Sequence, residues 1–229
     1  MDVDLDVPDH TTLSRRSAKL QPFLAARISE EPVVLIIDST GLSIVGEGEW
    51  AAAKRGGKGR RGWKKPYPGV DATGEIVVQV LTGSSVDDGS IGVEIIKDTS
   101  ASVETVIGDA AYDSRGVNEA AESMGAGVVV PHNRATSAGK PKRRRKRGKT
   151  GRADNINRIR QIGRRQWMAE SGYHRQGRVE NTFFRWKTVL GGRLRARTKE
   201  VQEVEAAIAC NVLNQMRAVG WPRSVKVMS

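Results

Sequence analysis

Cysteine occurs once in 229 residues, at Cys210. A single thiol excludes an internal disulfide and any all-cysteine metal site, and it fits a reducing compartment. Cys210 itself reads as a small buried apolar residue. Histidine is nearly as scarce: His10, His132 and His174 are too dispersed to compose a metal set. No apolar run approaches the ~20 residues needed to span a bilayer. The acidic start, Met1-Asp2-Val3-Asp4-Leu5-Asp6, lacks the basic-then-apolar order of a secretion signal. These absences point to a soluble, cytoplasmic chain with no membrane partner. With 38% hydrophobic residues it can bury the core of one large domain, or of one domain with an insertion.

Positive charge is what the chain has in excess, +12 in all. Residues 54–65 hold seven Lys or Arg, Arg60 and Arg61 among them, and no acid. Residues 140–152 hold nine and no acid, including Arg143, Arg144 and Arg145, and residues 157–199 hold twelve against two acids. Any one such run fits a solvated loop. Three of them segregated against an acidic remainder point to a polyanion, and to nucleic acid before a membrane surface, because no basic amphipathic helix with a broad apolar face is present.

The pattern along the chain is that of an α/β protein. Pro8 to Arg16 reads as a turn leading into a short helix through about Ala26. Val33 to Ile37 is a continuous apolar run, as a buried strand requires. Residues 43–62, rich in glycine, read as a mobile basic loop. Gly69 to Val80 reads as two strands joined at Asp71-Ala72-Thr73-Gly74, and Asp87-Asp88 caps a helix through about Lys97. Val103 to Ile107 is the next strand. Ser114 opens a helix through Met124, stopped by Gly125, and Val128 to Val130 is a short strand closed by Pro131. After the basic stretch, three helices are expected: Asn155–Ala169, Gln176–Leu190 and Lys199–Ala218. This order matches a ribonuclease H-like fold, a mixed sheet with helices on both faces, in which the first strand and that of Val103–Ile107 are neighbours. Asp38 and Asp109, 71 residues apart, then stand side by side at the rim where open α/β sheets place their sites.

With its motifs in this order the chain resembles the DDE transposases of bacterial and archaeal insertion sequences. Within them it is most similar to the insertion-sequence-five group, with its insertion-sequence-four-like catalytic domain. The resemblance is carried by Ile37-Asp38-Ser39-Thr40-Gly41-Leu42, by Gly46-Glu47-Gly48-Glu49-Trp50, and by Gly108-Asp109-Ala110-Ala111-Tyr112-Asp113. It continues through Gly172 to Glu180 and Phe184-Arg185-Trp186-Lys187. It implies that Asp38, Asp109 and Glu180 are the catalytic, metal-holding triad for two Mg²⁺ ions, with Mn²⁺ able to substitute. Tyr173, Glu180 and Lys187 keep the family's helix signature, but Gln176 stands where it has arginine, leaving Arg175 or Arg178 to supply that contact. Tyr173, Arg175, Arg178, Lys187, Arg60, Arg61 and Arg143 to Arg145 are the expected DNA-binding set.

Each residue also has a plainer reading. Asp38 fits an Asx-turn and Asp109 a helix cap, while Asp71 and Asp113 fit a hairpin turn and a helix start. Pro66 and Pro68 fall where the family has a plain strand, so irregularity is expected there. Phe183 and Phe184 are expected to anchor their helix, and Trp167 and Trp186 to pack against helices. Trp50 and Trp63 flank the basic loop, within reach of bases.

The expected organisation is a remnant of an N-terminal helical region (1–31), a catalytic domain (32–220) with a mobile basic segment (132–152), and a tail (221–229). The implied function is Mg²⁺-dependent cleavage at insertion-sequence ends followed by strand transfer into target DNA. The partners would be terminal inverted repeats and target DNA, bound by a homodimer at the nucleoid. The rival readings are a truncated, catalytically incompetent DNA-binding protein that inhibits transposition, and an RNA-binding protein led by residues 140–152.

Overall fold

The computed structural model describes residues 9–17, 19–27, 30–44, 62–132 and 151–220. In chain order the elements are α1 (His10–Ser17), β1 (Val33–Ile37), β2 (Leu42–Ile44), β3 (Trp63–Val70), β4 (Ile76–Gly83), α2 (Asp88–Asp98) and β5 (Val103–Ile107). They continue with α3 (Arg115–Ser123), β6 (Gly127–Val129), α4 (Gly151–Ile162), α5 (Arg164–Glu170), α6 (Gly177–Arg185), β7 (Arg193–Leu194) and α7 (Lys199–Val219). One mixed sheet runs β6-β5-β1-β3-β2-β7, and β4 lies against β3. β1, β5 and β6 are parallel, while β3 is antiparallel to both β1 and β4. This is the ribonuclease H-like arrangement expected from the sequence, with β1 and β5 adjacent.

β1 is buried at all five positions because both faces of the sheet are covered. Val33, Leu35 and Ile37 pack with Ile95 of α2 and Val117 of α3. Val34 and Ile36 pack with Val179 and Phe183 of α6 and Cys210 of α7, where the lone cysteine is fully buried. Asp87 caps α2 by accepting the Ser90 N–H, and Ser114 caps α3 by accepting that of Val117. α7 is fastened to the central hairpin: Asn214 exchanges two hydrogen bonds with the backbone of Ile76, and Arg217 pairs with the buried Glu75 at 2.7 Å. Among the described residues no helix is long and apolar enough to cross a membrane.

Several expectations need correction. The helix expected to reach Ala26 ends at Ser17, and no residue of it is buried. The single helix expected over 155–169 is two, broken at Gly163, whose φ of 81 a side chain would resist. The helix expected over 176–190 begins as a 3-10 turn (Tyr173–Gln176) and ends as a π-helical turn (Trp186–Leu190). β2 and β7 were hidden in segments of two or three paired residues. Phe184 does not anchor α6; it is 69% exposed, while Phe183 is buried.

The prolines are accommodated without irregularity. β3 pairs with β4 from Lys64 to Val70, but its other edge pairs with β2 at 63–64 and with β1 at 69–70. Pro66 points its carbonyl to that gap, where Thr40 N–H meets it at 3.3 Å. The alternation of the strand turns the missing donors of both prolines to the same gap.

Gly69 lies where β3 runs between β1 and β4, against the side chain of Ile95 from α2. A Cβ there would sit 2.5 Å from Val78 Cγ1 and 2.9 Å from Leu35 Cδ1. Gly69→Ala should therefore lower stability by about 1–3 kcal/mol, measured by urea unfolding; an unchanged midpoint would contradict this packing.

Candidate active site

The two aspartates arrive at one rim through the β1–β5 ladder. Ile36 pairs with Ile107, so Asp38 and Asp109 each follow two residues beyond the same rung. Ile36 and Ile107 both face the α6 side, and side chains alternate along a strand, so Asp38 and Asp109 leave the sheet toward α6 as well. Glu180 lies on the first turns of α6, exposed, one residue beyond the buried Val179.

Both plain local readings are realised alongside this convergence. Asp38 Oδ1 accepts the Ser39 N–H at 2.7 Å, and Asp109 Oδ1 accepts the Ala111 N–H at 2.8 Å. Each bond uses one oxygen and fixes the carboxylate's direction. Among the described residues none of the three acids forms a salt bridge. Burial pushes the Asp38 carboxyl up to about 6; the Ser39 N–H opposes this, and the charges of Asp109, Glu180 and Asp88 add to it. Asp38 thus lies within the fields of the other two members of the expected triad.

Tyr173 stands in the same field. Burial raises its phenol, and Asp109, Asp38 and Glu180 raise it further against Arg164. The hydroxyl therefore stays protonated at neutral pH. Its ring packs on Trp167, 5.8 Å between centroids, and Trp167 is buried as expected. Arg175 and Arg178 line an open cleft of about 340 Å³ with His174, Asn181 and Ala72. Lys187 is exposed seven residues beyond Glu180, inside the π-helical turn. Arg60, Arg61 and Arg143 to Arg145, like Trp50 and the motif at 46–50, lie outside the described residues.

Gln176, standing where the resemblance has arginine, does not face solvent. It is buried, and its Nε2 donates to the carbonyl of Ile37 at 3.3 Å. The amide straps the turn before α6 to the residue preceding Asp38, so it positions the site's backbone instead of offering charge to phosphate. Its Oε1 is buried without a partner among the described residues.

A fourth carboxylate was missed as a neighbour of the site. Asp88, in the first turn of α2, accepts from Lys65 Nζ and from the Tyr67 hydroxyl, both at 2.6 Å. Burial opposes its ionisation most, but those two donors and the Lys65 charge outweigh it and hold the carboxyl below its ordinary value. The alternation Lys65-Pro66-Tyr67 on a strand was the available signal. Asp113 is more than a helix start. With its side chain 3% exposed it accepts from Nε and Nη2 of Arg152, at 2.6 and 3.0 Å, which removes Arg152 from the basic run facing solvent. Asp71 has its expected turn role, accepting from Thr73 and Glu75.

The donor chemistry fits a hard divalent cation: three carboxylates, one of them desolvated and repelled by the others, with no ion pair to any of them among the described residues. Among the described residues, however, no three His, Cys, Asp or Glu side chains are already gathered around a point that could hold a metal ion.

The raised Asp38 has a measurable consequence. It binds more protons folded than unfolded between its ordinary value near ~4 and about 6, so stability falls as pH rises through that window and stays lower above it. Without metal, Asp38→Asn should be more stable than the wild type at pH 7 by on the order of 2 kcal/mol, allowing for its partial exposure. The two should converge below pH ~4. Equal stability at pH 7 would contradict the burial of Asp38 among like charges.

Two family models described as "Transposase DDE domain" match the chain, one over residues 29–215 and one over residues 1–47. The first covers the whole sheet and all three acids. A ribonuclease H-like sheet that delivers two aspartates to one rim beneath a glutamate-bearing helix is the framework such a match calls for, and the chain belongs to the DDE transposases, enzymes of DNA transposition that bind DNA and use divalent metal ions.

Proposed function

We propose that this chain catalyses cleavage of DNA at insertion-sequence ends and joining of those ends to target DNA, with Asp38, Asp109 and Glu180 holding two Mg²⁺ ions, or Mn²⁺ in their place. One observation carries the reading: Asp38 is fixed at a strand end, partly buried, in the fields of Asp109 and Glu180, and no basic side chain among the described residues offsets it. Such a site is destabilised until a cation arrives. When bound, the ions would activate a water or 3′-hydroxyl and neutralise charge on the leaving oxygen of an in-line displacement.

The chain's own groups have the remaining tasks. Asp38, central on the sheet, would bridge the two cations, and Asp109 and Glu180 would each hold one. Tyr173, kept protonated, donates a hydrogen bond to phosphate, and the in-line displacement needs no covalent enzyme intermediate. Arg175, Arg178 and Lys187 supply positive charge along the bound strand, with Arg60, Arg61 and Arg143 to Arg145 as further contacts. The motif set supports placement in the insertion-sequence-five group. Residues 32–220 act as the catalytic domain, on terminal inverted repeats and target DNA, in a homodimer at the nucleoid.

Gln176 favours one alternative, a DNA-binding protein without catalysis that inhibits transposition, because its amide is spent on Ile37 and brings no charge to phosphate. Nicking of DNA carrying the element's ends separates the two. The wild type should nick with Mg²⁺ or Mn²⁺, and Asp109→Asn should be at least about a hundredfold slower, since loss of even an outer-shell partner can cost up to that much. Lys187→Ala should keep metal binding and lower the salt dependence of DNA affinity by about one unit of log–log slope. Equal nicking by the wild type and Asp109→Asn would overturn the reading.

A further inference from the structure

α7 is apolar on two sides. Its inner side, with Val204, Ala206, Ala207, Cys210 and Leu213, is buried, and three of these belong to the cluster shared with α6. Its outer side carries Ile208, Val212, Met216 and Val219, spaced by four, four and three residues. All four are exposed, Val212 at 37% and Ile208 at 51%. No charged residue occurs from Ala206 to Met216. A surface helix ordinarily turns charge to water, and one that is apolar all round is ordinarily covered. The stripe lines an open groove of about 800 Å³, whose only polar side chains among the described residues are the neutral Asn211 and Gln215.

Asn211 extends the patch. Its Oδ1 accepts the Ala25 N–H and its Nδ2 donates to the Phe23 carbonyl, both at 2.8 Å. The stretch around them is thereby strapped along α7, with Leu24 packed against the core cluster and Phe23 left 72% exposed beside the stripe.

We propose that this face of α7, together with Phe23, is the contact surface for a second copy of the chain, two α7 helices packing about a two-fold axis near Val212. The choice of occupant follows from charge and from area. At +12 the chain repels its copy from most approaches. A two-fold contact sets one patch against itself, which on a basic surface opposes like charges; on this stripe there are none to oppose. The same neutrality gives a phosphate backbone or an acidic segment nothing to bind. The stripe and Phe23 offer on the order of 500 Å² per copy, close to the ~600 Å² per partner of the smaller specific interfaces, which suits a reversible dimer. The inference deepens the proposed function and rests on it only for the dimer's use: a pair joined here carries two carboxylate sites, one for each end of the element.

Sedimentation equilibrium without DNA, in EDTA and ~0.5 M salt, reads the association with nucleic-acid contacts suppressed, since these weaken as salt rises. The wild type should show a monomer–dimer equilibrium at about tens of micromolar. Val212→Glu sets two carboxylates together at the axis and should weaken association at least ~100-fold, and Val212→Lys should do the same. Mixed in equal amounts, the two variants should dimerise again because opposite charges then meet. Neither a foreign partner nor unfolding produces that recovery. A wild type that stays monomeric at ~100 µM overturns the proposal, and so does a dimeric Val212→Glu or a mixture that remains monomeric. Thermal transitions taken where all three proteins are monomers should coincide. Val212→Glu melting well below the wild type there also overturns the proposal, in favour of cover by the chain's own residues 221–229, which follow directly on Gly220 at the groove. Association is read without DNA or metal, so the two failures are distinguishable: a monomeric wild type leaves nicking to stand, and a dimer that does not nick leaves the interface to stand.

Discussion

The parallel ladder between β1 and β5 is the constraint on which the site depends. With helices on both faces, β1 must be apolar at every position, and Val-Val-Leu-Ile-Ile satisfies this. A polar side chain can enter only where the strand leaves the sheet, and that place is Asp38. β5 ends on the same rung, so Asp109 has no other location available than beside it. The side-chain parity of both strands then aims the pair at α6, and the burial of Val179 and Phe183 sets the face from which Glu180 projects. Core packing and site assembly are one event: the residues that fix the ladder also fix the spacing of the acids.

This assembly concentrates negative charge at the expense of stability. Asp38 is desolvated and surrounded by Asp109, Glu180 and Asp88, and its carboxyl is raised accordingly. Asp88 is the one member with cover of its own, from Lys65 and Tyr67. The lysine thus keeps a structural carboxylate ionised, its Nζ spent on Asp88. Gln176 contributes in another way, tying the α6 approach to the carbonyl of Ile37 with a neutral group. An arginine in that buried position would partly cancel the field felt by a cation, whereas an amide leaves it intact. Positive charge is instead placed outward, on the α6 cleft.

Much of this was legible in the sequence because its signals are local and strong. The β1 run, the caps at Asp87 and Ser114 and the stop at Gly125 each announce one element. The ordered acidic motifs gave the neighbourhood of Asp38 and Asp109. What escaped was set by tertiary context. Two-residue β7 has no period to detect, and it exists because β2 lies alongside. Asp88 looks like half of a helix cap, and its partners come from a strand more than twenty residues away. Gln176 looks like a lost arginine until its burial is seen. Pro66 and Pro68 look disruptive until the gap between β1 and β2 is known to receive them.

Convergence of all three carboxylates on shared cations is the central claim, and site-directed backbone scission tests it most directly. Fe²⁺ exchanged into the site, with ascorbate and peroxide, generates hydroxyl radicals that cut whatever chain lies near the ion. The account predicts three cuts, near Asp38, Asp109 and Glu180, all suppressed together by excess Mg²⁺ and lost in Asp38→Asn. Cuts confined to the two aspartate loops, with α6 untouched, would contradict it.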